Sequence, residues 1–199
     1  MSPAPTDPKT VSTELTPAPV ESPDKIKGVL ISKSELQDRI QQLGQDINRH
    51  YQDQELVIVG VLSGTVLFLA DLLRELTGPV QVDFVGVSSY RDGTTSGSLE
   101  FTRPTKLNLE GRHILVVDDI LDAGHTLTAV KQQLSQQQPR EIRTCVLLEK
   151  TARREVKIEA DYVGFRIPDY FVVGYGLDFA ELYRNLPFVG VLEDSQSEA

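Results

Sequence analysis

The sequence predicts an α/β domain built on a mainly parallel central sheet with helices packed against it. Three observations carry this reading. Helix-period and strand-period segments alternate along the chain. Two strand segments, 56–61 and 114–117, are continuous apolar runs, the pattern of strands buried on both faces. The polar and glycine residues suited to ligand chemistry fall just after strand segments, where ligands bind in such sheets.

The elements follow in order. Residues 1–25 hold six of the chain's eleven prolines and few large apolar side chains. Such a segment buries too little surface to offset its ordering entropy, so a disordered tail is expected. Ser32 and Glu35 form a capping-box pattern, and Leu36, Ile40, Leu43, Ile47 and Tyr51 follow at helical spacing. The run 56–61 is the first buried strand. Val66, Leu69, Leu72, Leu73 and Leu76 mark a second helix that stops near Gly78-Pro79. Residues 82–87 alternate like a strand, and 89–104 are polar and rich in Gly, Thr and Ser, which reads as a loop. The run 114–117 is a strand expected to end at Asp118-Asp119. A short loop with Asp122, Gly124 and Thr126 leads to a helix marked by Leu127, Val130 and Leu134. Strands over 142–148, 162–165 and 171–173 complete one domain, 26–192, before a short acidic tail at 193–199.

Composition narrows the function. The chain has 199 residues, 40% of them hydrophobic, enough for one domain with a sizeable core. A net charge of −9 argues against a nucleic-acid partner, because binding a phosphate backbone needs a basic face. The single cysteine, Cys145, lies in an apolar run and fits a reducing cytoplasm. No apolar run approaches the roughly 20 residues of a membrane span, and no signal-peptide pattern opens the chain, so neither a membrane partner nor export is expected.

The segment Ile114 to Thr128 says most about chemistry. A strand, a short loop and a helix present backbone N–H groups and a helix N-terminus to an anion. Asp118 and Asp119 beside them would repel a bare phosphate. They make sense if the ligand also carries hydroxyls or a divalent cation, which points to a sugar phosphate with Mg²⁺. Four apolar residues, two acids and a loop with Gly and Thr closely resemble the 5-phosphoribosyl-1-pyrophosphate (PRPP) signature of the type I phosphoribosyltransferases. Asp122 narrows the resemblance to the hypoxanthine-guanine branch. It continues through Val61 to Gly64, Ser89-Tyr90, Lys150 and Phe171 to Arg184.

The resemblance implies the type I phosphoribosyltransferase-like fold with a small hood subdomain. It implies transfer of the phosphoribosyl group from PRPP to hypoxanthine or guanine, with Mg²⁺ as cofactor and a homodimer or homotetramer as the assembly. Asp118 and Asp119 would hold the ribose hydroxyls, directly or through metal. Asp122 would hydrogen-bond N7 of the purine and act as the catalytic acid or base. Asp122, Ala123, Gly124, His125 and Thr126 would form the phosphate loop, with Ala123 replacing the family's Ser or Thr. Ser63 and Gly64 would bind pyrophosphate through backbone N–H groups, with Ser63 in place of the usual Lys. Residues 89–104 would close over the reaction centre, Ser89 and Tyr90 reaching pyrophosphate together with Arg184. Lys150, Phe171 and Val172 would read the purine as donor, stacking ring and backbone contact. Asp178 would sit by the base and help hold a second Mg²⁺.

Other readings fit less well. A response-regulator receiver domain also has an apolar run ending in Asp-Asp, but there it opens the domain, and here it sits mid-chain. A PRPP-sensing, RNA-binding regulator of the same fold lacks Asp at the position of Asp122 and needs a basic surface. A phosphoribosyltransferase for another base is the nearer alternative, and Lys150 with Phe171-Val172 favours a 6-oxopurine.

Overall fold

The computed structural model describes residues 5–19, 25–52, 54–89 and 99–193. Along the chain run β1 (Lys9–Thr10), β2 (Ile26–Ile31), α1 (Lys33–Tyr51), β3 (Leu56–Leu62), α2 (Val66–Glu75), β4 (Val80–Ser89) and β5 (Leu99–Arg103). There follow β6 (His113–Leu121), α3 (His125–Ser135), β7 (Glu141–Glu149), β8 (Tyr162–Arg166), β9 (Val172–Val173) and β10 (Val189–Leu192). Seven strands form the central sheet in the order β1-β8-β7-β6-β3-β4-β5. Every neighbouring pair is parallel except β4 with β5. A second, antiparallel sheet of order β2-β10-β9 forms a small subdomain.

The apolar runs are divided between two cores by the two-residue period of a strand. Ile58, Leu115 and Val117 face the layer that holds Leu36, Ile40, Leu43, Phe68, Leu69 and Leu72 of α1 and α2. Val57, Val59, Val61, Ile114 and Val116 face Leu127, Val130 and Leu134 of α3. A run that looks unpatterned in sequence is thus two interleaved sets, each completed by a helix stripe. Fully burying one such side chain stabilises by roughly 1.5–3 kcal/mol. The expected capping box starts α1: Ser32 Oγ accepts from the Glu35 amide at 3.3 Å, and the Ser32 amide donates to Glu35 Oε2 at 2.8 Å. Burial pushes the Cys145 thiol pKa up, which keeps it protonated.

Three sequence expectations are corrected. Asp118 and Asp119 do not end their strand: β6 runs on to Leu121, because β7 continues to pair with it through Leu121↔Glu149. Within the stretch read as a loop, Leu99–Arg103 is an edge strand paired with β4, its alternating exposure hidden by the polar composition around it.

The third concerns the tail. Residues 5–19 lie along the domain, with Lys9 and Thr10 in register with Phe165 and Arg166. Val11 and Leu15 pack on the main core. Thr16 exchanges two backbone hydrogen bonds with Val29, at 3.0 and 2.8 Å. The fully buried guanidinium of Arg39 donates to Thr6 Oγ1 and Thr6 O, and also to Val163 O and Gly164 O. Thr6 donates its amide and hydroxyl to the buried Asp46 carboxylate. Composition counts only what a segment carries; here the partners are waiting on α1 and β8. Residues 1–4, 20–24 and most of the acidic C-terminal tail, 194–199, lie outside the described residues.

Candidate active site

A cleft of about 1130 Å³ opens beyond the carboxyl ends of β3, β4 and β6, against the first turn of α3. Its lining includes Ser63 and Gly64 after β3, Val87 and Ser88 of β4, and Leu99 of β5. The stretch Asp118 to Leu127, with Glu155 bonded to it, supplies the floor and one wall, and Asp178, Glu181 and Arg184 supply the other. Parallel strands place all their carboxyl ends on one side, so segments more than a hundred residues apart meet here.

The β3 turn is wedged between two other segments. A Cβ on Gly64 would lie 1.7 Å from Asp119 Oδ2, and a Cβ on Gly176, whose φ is +100°, would lie 2.0 Å from the Gly64 carbonyl oxygen. Only glycines permit this stack of Asp119, Gly64 and Gly176, and Gly176 also needs the left-handed region. The Leu62–Ser63 peptide is cis.

The acid pair sits deep. Asp118 Oδ1 accepts from the Asp119 amide at 3.0 Å, and Asp119 Oδ1 accepts from the Ile120 amide at 2.8 Å. Burial holds the Asp118 carboxyl well above the usual range, and the neighbouring Asp119 charge adds to this. Burial also raises Asp119, against the pull of hydrogen bonds from Asp118 and the backbone and of the Arg184 charge. Two buried carboxyls in contact cannot both ionise without a cation or a donor.

The loop after β6 is fixed by backbone. Ala123 O accepts from the amides of Glu155 and Val156 at 3.0 and 3.1 Å. Gly124 is the N-cap of α3 and supplies no side-chain cap, so the first amides of the helix face the cleft without a side-chain acceptor. His125 Nε2 lies 2.7 Å from Glu155 Oε2. Asp122 Oδ1 is buried with no hydrogen-bond partner among the described residues. Such an atom costs stability unless a ligand donates to it.

The opposite wall is an ion-pair cluster. Arg184 Nη1 donates to the Gly176 carbonyl at 2.8 Å, while Nη2 lies 2.9 Å from Asp178 Oδ1 and 3.0 Å from Glu181 Oε2. Asp118, Asp119, Asp122, Glu155, Asp178 and Glu181 therefore face only Arg184 and His125 as basic partners on the described lining. An anionic ligand needs cations to enter so acidic a cleft. Among the described residues no three carboxylate, imidazole or thiol side chains converge to cage a metal. Hard carboxylate oxygens spread along a cleft suit a cation that draws its remaining ligands from substrate and water, as Mg²⁺ does.

The structure gathers Asp118, Asp119, Asp122, Ala123, Gly124, His125, Thr126, Ser63, Gly64, Asp178 and Arg184 in this one cleft. Lys150, Phe171 and Val172 are not on its lining. Lys150 follows β7 and is buried, with Nζ 3.7 Å from Asp169 Oδ1. Phe171 is 48% exposed, its ring edge-to-face with Phe179 at 5.6 Å, and Val172 is buried in β9 opposite Val191. Ser89 ends β4. Tyr90 lies outside the described residues. Sequence reasoning missed Glu155, Glu181 and Gly176. For Glu181 a signal existed, its place three residues before Arg184; for Glu155 there was none.

The comparisons agree with this geometry. The family model for the phosphoribosyl transferase domain matches residues 32–180. The hypoxanthine phosphoribosyltransferase of Haemophilus influenzae is 42% identical over 172 residues, 83% of this chain and 96% of that protein. The hypoxanthine-guanine phosphoribosyltransferase of Bacillus subtilis is 41% identical over 175 residues, 87% and 97% of the two chains. The bifunctional protein TilS/HprT of Listeria monocytogenes shares 44% identity over 169 residues, which is 84% of this chain but only 26% of that protein. Among solved structures, a hypoxanthine-guanine phosphoribosyltransferase from Bacillus anthracis superposes with a TM-score of 0.81 at 41% identity, covering 84% of this chain and 99% of the other. With the signature strand, the glycine-stacked loop and the arginine wall in one cleft, and with likeness along most of both chains, the chain belongs to the phosphoribosyltransferase family, on its hypoxanthine and hypoxanthine-guanine branch.

Proposed function

We propose that this chain is a purine salvage enzyme that transfers the 5-phosphoribosyl group from PRPP to N9 of hypoxanthine or guanine, giving IMP or GMP and pyrophosphate. The observation that carries this is Asp122 Oδ1, a buried acceptor with no partner among the described residues, at the floor of the cleft next to the uncapped start of α3. A sugar phosphate docked on that helix brings its anomeric carbon near the carboxylate, and a purine on the far side can donate N7–H to it.

The residues then divide the work. The amides of Gly124, His125 and Thr126 hold the 5′-phosphate, and Ala123 contributes backbone alone. Asp118 and Asp119 hold the ribose hydroxyls. The Ser63 and Gly64 backbone and Arg184 take the pyrophosphate, with Ser89 and Tyr90 closing over it. Lys150 donates to the exocyclic oxygen of the base, Phe171 stacks on its ring, and Val172 reads its edge. Asp122 takes or gives the N7 proton and offsets the positive charge that develops on the ribose. Asp178, Asp118 and Asp119 would hold Mg²⁺, which when bound would supply positive charge to neutralise the leaving pyrophosphate.

No helix among the described residues is long and apolar enough to cross a membrane. We place the enzyme in the cytoplasm, as a homodimer or homotetramer. The test is an assay with PRPP, Mg²⁺ and each of hypoxanthine, guanine, xanthine and adenine in turn. Turnover with hypoxanthine or guanine and none with adenine is expected. Adenine as sole acceptor, or no turnover with any base, overturns the proposal.

A further inference from the structure

Arg184 is the sole arginine or lysine on the described cleft lining, and two carboxylates of its own chain already occupy it. The two differ. The Asp178 side chain is 29% exposed, and its second oxygen accepts from the Glu181 amide at 3.0 Å. The Glu181 side chain is 83% exposed and has Arg184 as its one ion-pair partner among the described residues.

Glu181 reaches Arg184 from an unfavourable backbone. Residues 179–182 form a tight turn closed in both directions. The Leu182 amide donates to Phe179 O at 3.0 Å, and the Phe179 amide donates to Leu182 O at 3.2 Å. The central residues, Ala180 at φ +51° and Glu181 at φ +63°, are both left-handed. Turns of this form favour Gly, Asn or Asp, and neither Ala nor Glu gains from the conformation. A strained turn whose side chain faces the cleft, and whose attraction is that of an exposed ion pair, is poised to let go.

We infer that Glu181 is a built-in stand-in for the substrate anion: it occupies Arg184 in the empty cleft and releases it when a pyrophosphate group binds. This rests on the function proposed above. The exchange makes and breaks no covalent bond; Arg184 Nη2 trades a carboxylate oxygen for a phosphate oxygen. Glu181 thus sets the affinity for the pyrophosphate group and takes no part in the chemistry, whereas Asp178 stays to hold the cation.

The test is calorimetric titration of inorganic pyrophosphate, with excess Mg²⁺, into the full chain and into Glu181→Gln, Arg184→Gln and the double variant. Glu181→Gln is expected to tighten binding about two- to fivefold, the worth of an exposed ion pair. The KM for PRPP should fall in the same proportion. Arg184→Gln should weaken binding, and Glu181→Gln should add nothing in that background. Simple removal of a negative charge from an acidic cleft would tighten binding in both backgrounds, so a gain that survives Arg184→Gln overturns the inference. Unchanged or weaker binding by Glu181→Gln alone also overturns it. Failure of the wild-type chain to bind pyrophosphate would instead sink the functional reading.

Discussion

Asp118 and Asp119 are neighbours on one strand, and burial drives both carboxyls toward the neutral form. A carboxyl whose folded pKa is raised favours the fold below its ordinary value of 3.8, and that contribution is lost as pH rises through the folded value. Asp118→Asn, which cannot ionise, should therefore melt higher than wild type at alkaline pH, with the gap closing as the pH falls toward 3.8, while turnover falls. A variant that melts lower at alkaline pH would show that the acid is not a source of instability. Gly64→Ala drives a Cβ into Asp119 Oδ2 and should lower kcat/KM by ~10²-fold or more, the cost typical of misplacing a catalytic group by an ångström. The adjacent Ser63→Ala leaves the backbone intact and should keep the PRPP KM within about threefold; a tenfold rise would assign the hydroxyl a direct contact. Asp122→Asn should keep PRPP binding and lower kcat about 10²-fold, the range of a lost acid–base group; near-normal kcat would remove it from the mechanism. The place of Asp122 in the cleft was legible because a short motif carries it. The contact between Gly64 and Gly176 was not, because no local pattern links positions so far apart.

At the scale of elements, α1, α2, β3, β6, α3 and β7 were readable because each brings its own apolar stripe or run. The elements that sequence missed take their stability from partners. β1, β2, β5 and β10 are short edge or subdomain strands, each held by pairing with a neighbour rather than marked by a pattern of its own. The N-terminal segment shows what such a strand contributes. A chain beginning at Asp24 lacks β1, the Val11 and Leu15 contacts, and the Thr6 partners of the buried Arg39 and Asp46. Losses of this kind sum to about 2 kcal/mol. The melting temperature should drop roughly 4–8 °C in a chain of this size, with kcat within about twofold. Unchanged melting would mean that the segment rests on the domain without holding it.

Across the whole molecule, net charge and its placement differ in legibility. The −9 balance is plain from composition, and it argued only against nucleic acid. That six carboxylates would share one cleft with Arg184 and His125 depends on where parallel strands end. Such a cleft should be inert without cations: EDTA is expected to lower turnover at least ~10²-fold and added Mg²⁺ to restore it, because the leaving group would otherwise be repelled. Full activity in EDTA would require another source of neutralising charge. The sheet as a whole has one further property. One of its two edges is β1, two residues long, with Pro5 and Pro8 before it and Pro17 after it, residues that lack the N–H another strand would need. Remove that cover and Tyr162–Arg166 becomes a bare ladder of donors and acceptors. Concentrated stocks of the shortened chain should then turn cloudy where the full-length chain stays clear, so the prolines that look like filler act as a guard against self-recruitment.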